Sequence, residues 1–419
     1  MGSAGVVRAA AGAVCALAAV GLSGCGVPRS ASGSTVPTGD TNSVSGGGPA
    51  AEPAAGSVDP AGVAQQWTVT PGPRTSLSGA LANDQQVHTY DIGPVYTGER
   101  LLVEARAAAL LDPVVAILDA GQNVLVCNDD RNYYAGQTDS LAEVFILQDS
   151  PHCYVALASS PDSHTSGGYA LELALTEISP PVAPAAQRIY LNFEGAREVR
   201  IGGRPPVDIP RFSGSRIDPR FTDQTDQIAD TLLAMVEQDF TGLNVEFHSS
   251  RLGPPPAEPY TTIHFGAYDP DLLGVAENID EYNERPSQQA IIFVDTFAAF
   301  AVVDPSAEEI AQALANVTSH ECGHLLGLYH CSDPRAIMDI TATLQQMLVD
   351  QSFLRARLHA EVFPSGYQDA LALLAQNVGG DLEAARRAAK TQQAFRVRWA
   401  DQDQGPPARS TLVFSSRGH

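Results

Sequence analysis

Positive charge is scarce in this sequence. Its 419 residues include 25 Lys and Arg against 48 Asp and Glu, so the formal net charge at pH 7 is −23. A surface this acidic keeps a protein soluble, and it argues against nucleic acid and anionic lipid headgroups as partners because both are negatively charged. The charge balance carries no information about a substrate.

The apolar run at the N-terminus is a poor candidate for a membrane-spanning helix. This small-residue run, from Ala9 to Val20, follows one positive charge, Arg8, and is too short and alanine-rich for a membrane helix. This pattern predicts an export signal over residues 1–24. The segment Leu22-Ser23-Gly24-Cys25 resembles a bacterial lipobox, which implies cleavage before Cys25 and lipid attachment to its sulfur. An ordinary secretory signal, cut nearby, remains open.

Large apolar residues are almost absent from residues 25–62, which are rich in Gly, Ser, Pro, Ala and Thr. Such a segment cannot bury enough surface to fold, so we predict a disordered tether. Together with the signal, it predicts an extracytoplasmic protein that is lipid-anchored to a bacterial membrane, with secretion as the alternative.

Residues 63–178 show short strand-like runs spaced about ten residues apart, which favours an all-β sandwich. The landmarks Asp112-Pro113, Asn128-Asp129-Asp130 and Gly167-Gly168-Tyr169 resemble the pre-peptidase C-terminal family, small sandwiches found beside secreted bacterial peptidases. Asn128, Asp129 and Asp130 are candidate Ca²⁺ ligands through their oxygen atoms, although a plain turn has the same composition. Because the sandwich precedes the rest of the chain, an inhibitory role is a further alternative.

A Pro/Ala-rich linker at residues 179–186 separates this sandwich from a second domain. We predict that the second domain spans residues 187–380. Residues 381–419 are predicted to be a C-terminal tail with at most one helix. Apolar periodicity predicts the following elements: a helix from Thr225 to Phe240, strands at Asn244–Phe247, Thr261–Phe265 and Ala290–Asp295, and helices from Thr343 to Glu361 and from Tyr367 to Gln376. Ser306 and Glu309 form a capping box that predicts the start of another helix.

That helix carries the most informative motif of the chain. Residues 320–330 fit H-E-x-x-H-x-x-G-x-x-H. His320 and His324 are four residues apart and project from one helix face, so both can bind a single ion. Gly327 can end the helix in a left-handed conformation, which brings back His330 as a third ligand. Three protein ligands leave one position open, as in a catalytic zinc site.

Glu321 lies beside the ligands and is the predicted proton acceptor for the zinc-activated water, first as general base and then as general acid. A methionine, Met338, follows the third histidine closely. The motif together with this Met-turn resembles the metzincin clan of zinc endopeptidases. The resemblance implies that Met338 underlies the metal without binding it. Ile340 occupies the place of the tyrosine found in astacin-like members, so we expect no tyrosine ligand.

In metzincins an edge strand above the zinc cleft pairs with an extended substrate. Thr261–Phe265, or the loop from Gly266 to Pro286, is the candidate for this wall in the present chain. We expect the loop, which is rich in carboxylates and amides, to be solvated.

The cysteines are few enough to assign individually. Of the six cysteines, Cys15 is expected to be removed with the cleaved export signal, and Cys25 is the predicted lipid anchor. In an exported protein, Cys127 and Cys153 are a candidate disulfide. Cys322 and Cys331 are either a second disulfide, which we favour, or two buried thiols, and Cys331 is also an alternative zinc ligand.

We therefore predict an all-β sandwich followed by an α+β metzincin-like zinc peptidase domain, in a monomer whose partners are a protein or peptide substrate and, through the anchor, a membrane. The predicted reaction is hydrolysis of peptide bonds in extracytoplasmic proteins. Two alternatives remain: a zinc amidase that cuts cell-wall peptides, and a surface-binding lipoprotein with a vestigial zinc site.

Overall fold

The computed structural model describes residues 64–72, 74–108, 110–131, 137–177 and 183–402. The predicted signal, Cys25, the tether and the last part of the tail lie outside the described residues. Within the described ranges, none of the helices combines the length and apolar character needed to cross a bilayer.

Two β-sheets face each other in the first domain. One has the order β1-β3-β8-β5-β6 and the other β2-β9-β4-β7. The strands are β1 (Ala64–Thr68), β2 (Thr75–Leu81), β3 (Val87–Asp91), β4 (Glu99–Ala107), β5 (Pro113–Leu118), β6 (Val124–Asn128), β7 (Ser140–Phe145), β8 (Tyr154–Ser159) and β9 (Gly167–Glu177). The predicted β-sandwich is confirmed.

Strand β5 is buried along its whole length, which has a specific cause. Successive side chains of a strand point to opposite faces of the sheet. Val115 and Ile117 pack inside the sandwich, whereas Val114, Ala116 and Leu118 belong to the core of the second domain. One sheet of the sandwich is therefore covered on both faces, and the two domains share a continuous apolar core.

The second domain is built on a five-stranded sheet of order β13-β10-β14-β16-β15, in which only β15 is antiparallel to its neighbour. Its strands are β10 (Gln187–Asn192), β13 (Val245–Ser249), β14 (Thr261–Phe265), β15 (Gly274–Ala276) and β16 (Gln289–Ile292). A small hairpin, β11 (Ala196–Val199) and β12 (Val207–Ile209), precedes α1 (Thr225–Asp239). The predicted order of a β-sandwich followed by a mixed α and β domain is confirmed.

Helix α2 (Ala307–His324) is the central helix of this domain and begins at the predicted capping box. The side-chain oxygen of Ser306 accepts from the Glu309 N–H at 3.2 Å, and the Glu309 carboxylate accepts from the Ser306 N–H at 2.7 Å. Almost every residue of α2 is buried, including its last turn. The last residues of the helix therefore lie in the interior, between the sheet and the segments that follow.

The remaining elements are α3 (Leu344–Met347), β17 (Arg355–Arg357), β18 (Tyr367–Asp369), α4 (Ala370–Val378) and α5 (Leu382–Gln402), with 3₁₀ turns at Gly214–Arg216, Pro219–Gln224, Glu281–Asn283 and Val294–Val303. The predicted helix from Thr343 to Glu361 was wrong, because only its first turn is helical. The Asn316 side chain of α2 donates to the carbonyls of Met347 and Val349 at 2.8 and 2.9 Å, so tertiary hydrogen bonds replace helical ones there.

The helix predicted from Tyr367 begins three residues later, at Ala370, because Tyr367–Asp369 pairs with β17. The predicted tail beyond residue 380, for which the sequence allows one helix, begins with α5. Its Ala385 and Ala389 are buried in the same core as the rest of the second domain.

The turn between β5 and β6 docks on the β17–β18 hairpin. Arg355 donates to the Asn123 side chain at 2.7 Å and to the Gly121 carbonyl at 2.8 Å. The Tyr367 N–H donates to the Gln122 carbonyl at 2.9 Å. These polar contacts border the shared apolar core and fix the orientation of the sandwich on the second domain.

Candidate metal centre

The three histidines of the motif meet at one point. His320 and His324 occupy the last turns of α2, and Gly327 has φ +92°, which ends the helix and turns the chain back toward His330. The Nε2 of His324 lies 3.1 Å from that of His320 and 3.0 Å from that of His330. Tetrahedral zinc with Zn–N bonds of about 2.0–2.1 Å separates its nitrogen ligands by about 3.3 Å. The spacing in the structure is close to that.

Backbone carbonyls hold two of the imidazole rings. His320 Nδ1 lies 2.7 Å from the Ile337 carbonyl, and His324 Nδ1 lies 2.8 Å from the Leu328 carbonyl. Because a carbonyl accepts only, Nδ1 carries the proton and Nε2 keeps its lone pair. This arrangement of outer hydrogen bonds is the one that prepares histidines for a metal.

The imidazoles are also kept neutral. Exposed fractions of 1%, 3% and 2% for His320, His324 and His330 leave almost no access for water. Burial lowers the pKa of His320 to about 4 and that of His324 to about 3, and it lowers the pKa of His330 well below its usual value. Neutral, convergent nitrogen lone pairs suit a divalent cation of the zinc type.

Glu321 is buried beside the triad, with an exposed fraction of 1%. Burial raises the pKa of its carboxyl to about 8, and a hydrogen bond from the Ala276 N–H opposes that shift. Its Oε1 has no hydrogen-bond partner among the described residues. A buried carboxylate with a free oxygen would be stabilised by a nearby cation and is placed to accept a proton.

The Ala276 amide reaches Glu321 because of the pairing of β15. Phe293 N–H bonds the Leu273 carbonyl and Glu277 N–H bonds the Gln289 carbonyl, so the amides and carbonyls of Gly274 and Ala276 point away from β16. Among the described strands, β15 is therefore the edge of this sheet, and it lies next to the candidate base. The sequence analysis missed both residues, since Gly and Ala carry no chemical signal.

Of the two predicted cleft walls, the structure excludes one. Thr261–Phe265 is β14, which lies between β10 and β16 and has no free edge. The edge strand instead lies in the Gly266–Pro286 loop. That loop is not solvated as expected: Asn278, Asp280 and Asn283 are each 4% exposed. Asp280 accepts from the Arg285 N–H and the Gln288 side chain, which orders the loop.

Met338 lies under the last turn of α2 and is 1% exposed. A Cβ at Gly323 would be 2.5 Å from its Sδ, so the glycine permits close contact between the turn and the helix. The neighbouring Ile337 carbonyl is the partner of His320. Sequence reasoning identified the methionine of this turn but not the carbonyl, because a backbone group has no residue signature.

The predicted disulfides are absent, since Cys127, Cys153, Cys322 and Cys331 are all free thiols. Cys153 is buried inside the sandwich, whereas Cys127 faces the second domain, where its Sγ lies 3.6 Å from the Val362 carbonyl. The two thiols therefore lie in different cores. Cys331 is not part of the triad; its N–H donates to the Met338 carbonyl at 2.8 Å.

Two of the three predicted calcium ligands have partners within the protein, although Asp129 Oδ1 has none among the described residues. Asn128 Oδ1 accepts from the Leu141 N–H at 2.9 Å, and the Asp129 carboxylate accepts from the Ser160 hydroxyl at 3.0 Å. Within the described part of the chain, His320, His324 and His330 form the one cluster of three or more His, Cys, Asp or Glu side chains close enough to share an ion.

A family comparison agrees with this chemistry. The family model of the matrixins, peptidase family M10, matches residues 262–352. No curated protein matches the chain. Similar solved structures include archaemetzincin from Methanopyrus kandleri, with 14% identity, 52% of this chain and 99% of that chain covered, and a TM-score of 0.23.

A zinc-dependent peptidase from Methanocorpusculum labreanum is 16% identical, with 39% of this chain and 93% of that chain covered and a TM-score of 0.22. The pre-peptidase C-terminal domain of a Bacillus anthracis collagenase is 12% identical, with 27% and 94% covered and a TM-score of 0.20. Because these TM-scores are low, the assignment depends on the matrixin match and the histidine geometry. Together they support a zinc metallopeptidase.

Proposed function

We propose that this protein is a metzincin-type zinc endopeptidase that hydrolyses peptide bonds of extracytoplasmic proteins. The observation that carries the proposal is the convergence of three neutral Nε2 atoms, 3.0 and 3.1 Å apart, beside the buried carboxylate of Glu321. The fit to zinc is supported by the ring orientations that carbonyls impose on His320 and His324, and by the unpartnered Oε1 of Glu321.

The residues present divide the chemistry between them. His320, His324 and His330 would hold the ion, and bound zinc would supply Lewis acidity that acidifies water and polarises the carbonyl under attack. The Glu321 carboxylate accepts the proton of the attacking water and returns it to the departing amine nitrogen. The Ala276 N–H favours the ionised carboxylate before that transfer. No side-chain nucleophile is needed, so no acyl-enzyme forms.

An extended peptide is the substrate shape that the edge strand favours. The Gly274 amide and the outward carbonyls of Gly274 and Ala276 can pair with a further strand next to Glu321, whereas the Ala276 N–H is directed at Glu321 itself. This pairing recognises the peptide backbone and leaves side-chain preference to the surrounding loops. It therefore supports a polypeptide substrate over an isolated small amide.

The test is a casein or quenched-peptide assay on the full chain purified in detergent. We expect cleavage that a zinc chelator stops and added zinc restores. Glu321→Gln should keep stoichiometric zinc and lose nearly all turnover, whereas Glu308→Gln, an exposed position at the start of α2, should match the parent. Equal turnover of Glu321→Gln and the parent would exclude Glu321 as the base.

The two alternatives give different outcomes in the same preparation. A cell-wall amidase would release products from peptidoglycan digests and leave casein intact. A vestigial site would bind zinc without turnover on either substrate.

We also propose that Cys25 carries the lipid anchor that holds the enzyme outside the cytoplasm. Its support is the lipobox-like segment 22–25, followed by the tether-like composition of residues 26–62. Cys25→Ser should move the protein from the membrane fraction to the soluble fraction. Recovery of both forms in the same fraction would favour secretion without an anchor. Calcium at Asn128–Asp130 stays a separate prediction, which requires a Ca²⁺-dependent rise in melting temperature.

A further inference from the structure

The third ligand is held differently from the first two. Among the described residues, His330 has no hydrogen-bond partner at Nδ1, whereas His320 and His324 each have a backbone carbonyl there. Outer hydrogen bonds normally fix the ring of a metal-binding histidine. The position of the His330 imidazole therefore depends on how firmly its own backbone is held.

Tyr329, directly before His330, is one anchor of that backbone; the His330 carbonyl also accepts from the His359 N–H at 3.0 Å. Its N–H donates to Gln368 Oε1 at 2.7 Å, and its carbonyl accepts from Gln368 Nε2 at 2.8 Å. Tyr329 is 5% exposed and Gln368 is 1% exposed, so both hydrogen bonds are shielded from water. The side-chain amide of Gln368 thus fixes the main chain of Tyr329 at both of its polar groups.

The side chain of Tyr329 reaches outside the second domain. Its hydroxyl accepts from the Cys127 N–H at 3.0 Å, lies 3.2 Å from the Cys127 carbonyl, and donates to the Glu281 carboxylate in a short hydrogen bond. Cys127 belongs to β6 of the sandwich, and Glu281 to the loop that follows the edge strand. Burial and the Glu281 charge raise the pKa of Tyr329, so the hydroxyl remains a proton donor.

We propose that Tyr329 is a positioning residue through which the β-sandwich holds the third zinc ligand in place. The sandwich is then part of the active-site framework, and its edge strand β6 acts on the metal through one side chain and one peptide bond. The proposal rests on the proposed function, since it takes the triad to be the zinc site. It assigns no proton transfer and no substrate contact to Tyr329.

A second tyrosine provides a matched control. The Tyr282 hydroxyl accepts from the Phe145 N–H of β7 at 3.0 Å, and its ring lies 5.3 Å from that of Phe145. Tyr282 therefore also joins the catalytic loop to the sandwich, but it is not adjacent to a ligand. Each substitution removes a hydroxyl from the contact between the domains: the Tyr329 hydroxyl contacts Cys127 and Glu281, and the Tyr282 hydroxyl accepts from Phe145. Only the Tyr329 substitution acts next to a metal ligand.

The experiment compares Tyr329→Phe and Tyr282→Phe with the parent in the full chain. Zinc affinity is measured by competition with a chromophoric chelator, and ligand geometry by the visible absorption of the Co²⁺-substituted protein. We expect Tyr329→Phe to weaken zinc binding about tenfold, the lower end of the effect of outer-shell changes, and to alter the Co²⁺ spectrum. Tyr282→Phe should leave both unchanged.

Equal zinc affinity and equal Co²⁺ spectra for Tyr329→Phe and the parent would overturn the proposal, as would an equal loss in both variants. If Tyr329→Phe does not fold, Glu281→Ala replaces it, because it removes the hydroxyl's acceptor and keeps the ring. Weaker zinc binding by Glu281→Ala then supports the proposal, and parental binding overturns it. A parent that binds no zinc would instead refute the proposed function.

Discussion

The absence of a side chain at Gly274 is what allows the edge strand to lie against the candidate base. A Cβ built at Gly274 would stand 2.8 Å from Glu321 Cγ and 2.9 Å from its Cδ, closer than carbon atoms approach without a shift. The backbone of Gly274 does not have a positive φ, so alanine introduces no backbone strain. Gly274→Ala therefore changes one thing, which is the space available to the Glu321 side chain.

The size of the effect follows from the crowding of this site. Glu321 is 1% exposed and has no open side toward which to move freely. Overpacking of a buried site costs about 1–3 kcal/mol of stability, and misplacing a catalytic group by about 1 Å costs about a hundredfold in rate. We expect kcat/KM of Gly274→Ala to fall about a hundredfold, with unchanged zinc stoichiometry because no histidine is touched.

The assay is peptide cleavage under single-turnover conditions, with zinc content measured on the same samples. Gly253→Ala is the matched control, because a Cβ there meets nothing within 4 Å. It should leave both the rate and the melting temperature unchanged. Parental kcat/KM in Gly274→Ala would refute the reasoning, since Glu321 would then tolerate displacement or would not act in the reaction.

Two further predictions concern other parts of the chain. Gly323→Ala should lower the free energy of unfolding by about 1–3 kcal/mol, because the new Cβ would lie 2.5 Å from Met338 Sδ, and Met338→Ala in the same chain should recover part of it in urea denaturation. Asp129, whose pKa burial raises to about 7 from an ordinary 3.8, contributes stability that is complete below pH 3.8 and is lost as the pH rises through 7. In calcium-free buffer at pH 8, Asp129→Asn should therefore be more stable than the parent by on the order of 2 kcal/mol, after allowance for solvent screening. The difference in stability should vanish near pH 4. A difference that does not change with pH would contradict this prediction.

Much of the candidate site was predictable because its chemistry is encoded in side chains at fixed spacing. His320, Glu321, His324 and His330 follow from helix geometry and from one glycine that tolerates positive φ. The strand Thr261–Phe265 and the helix beginning at Thr225 followed in the same way from apolar periodicity. In each case a local pattern was sufficient, since the neighbouring residues set the conformation.

The missed features are those that tertiary contacts decide. Helix α3 ends where the Asn316 side chain donates hydrogen bonds to the carbonyls of Met347 and Val349. The sequence of residues 343–361 alone does not indicate these contacts. The free edge at Gly274–Ala276 depends on which strand pairs with which. The unpaired thiols of Cys127 and Cys153 depend on which of the two cores each side chain enters.

The double-sided burial of β5 has a consequence for maturation. Because Val114, Ala116 and Leu118 are part of the interior of the second domain, cutting the chain between the two domains would expose a large apolar surface on both halves if they separated. A nicked molecule should therefore persist as a two-fragment complex that co-elutes in gel filtration. Removal of the sandwich, unlike the release of an inhibitory segment, would then inactivate the enzyme.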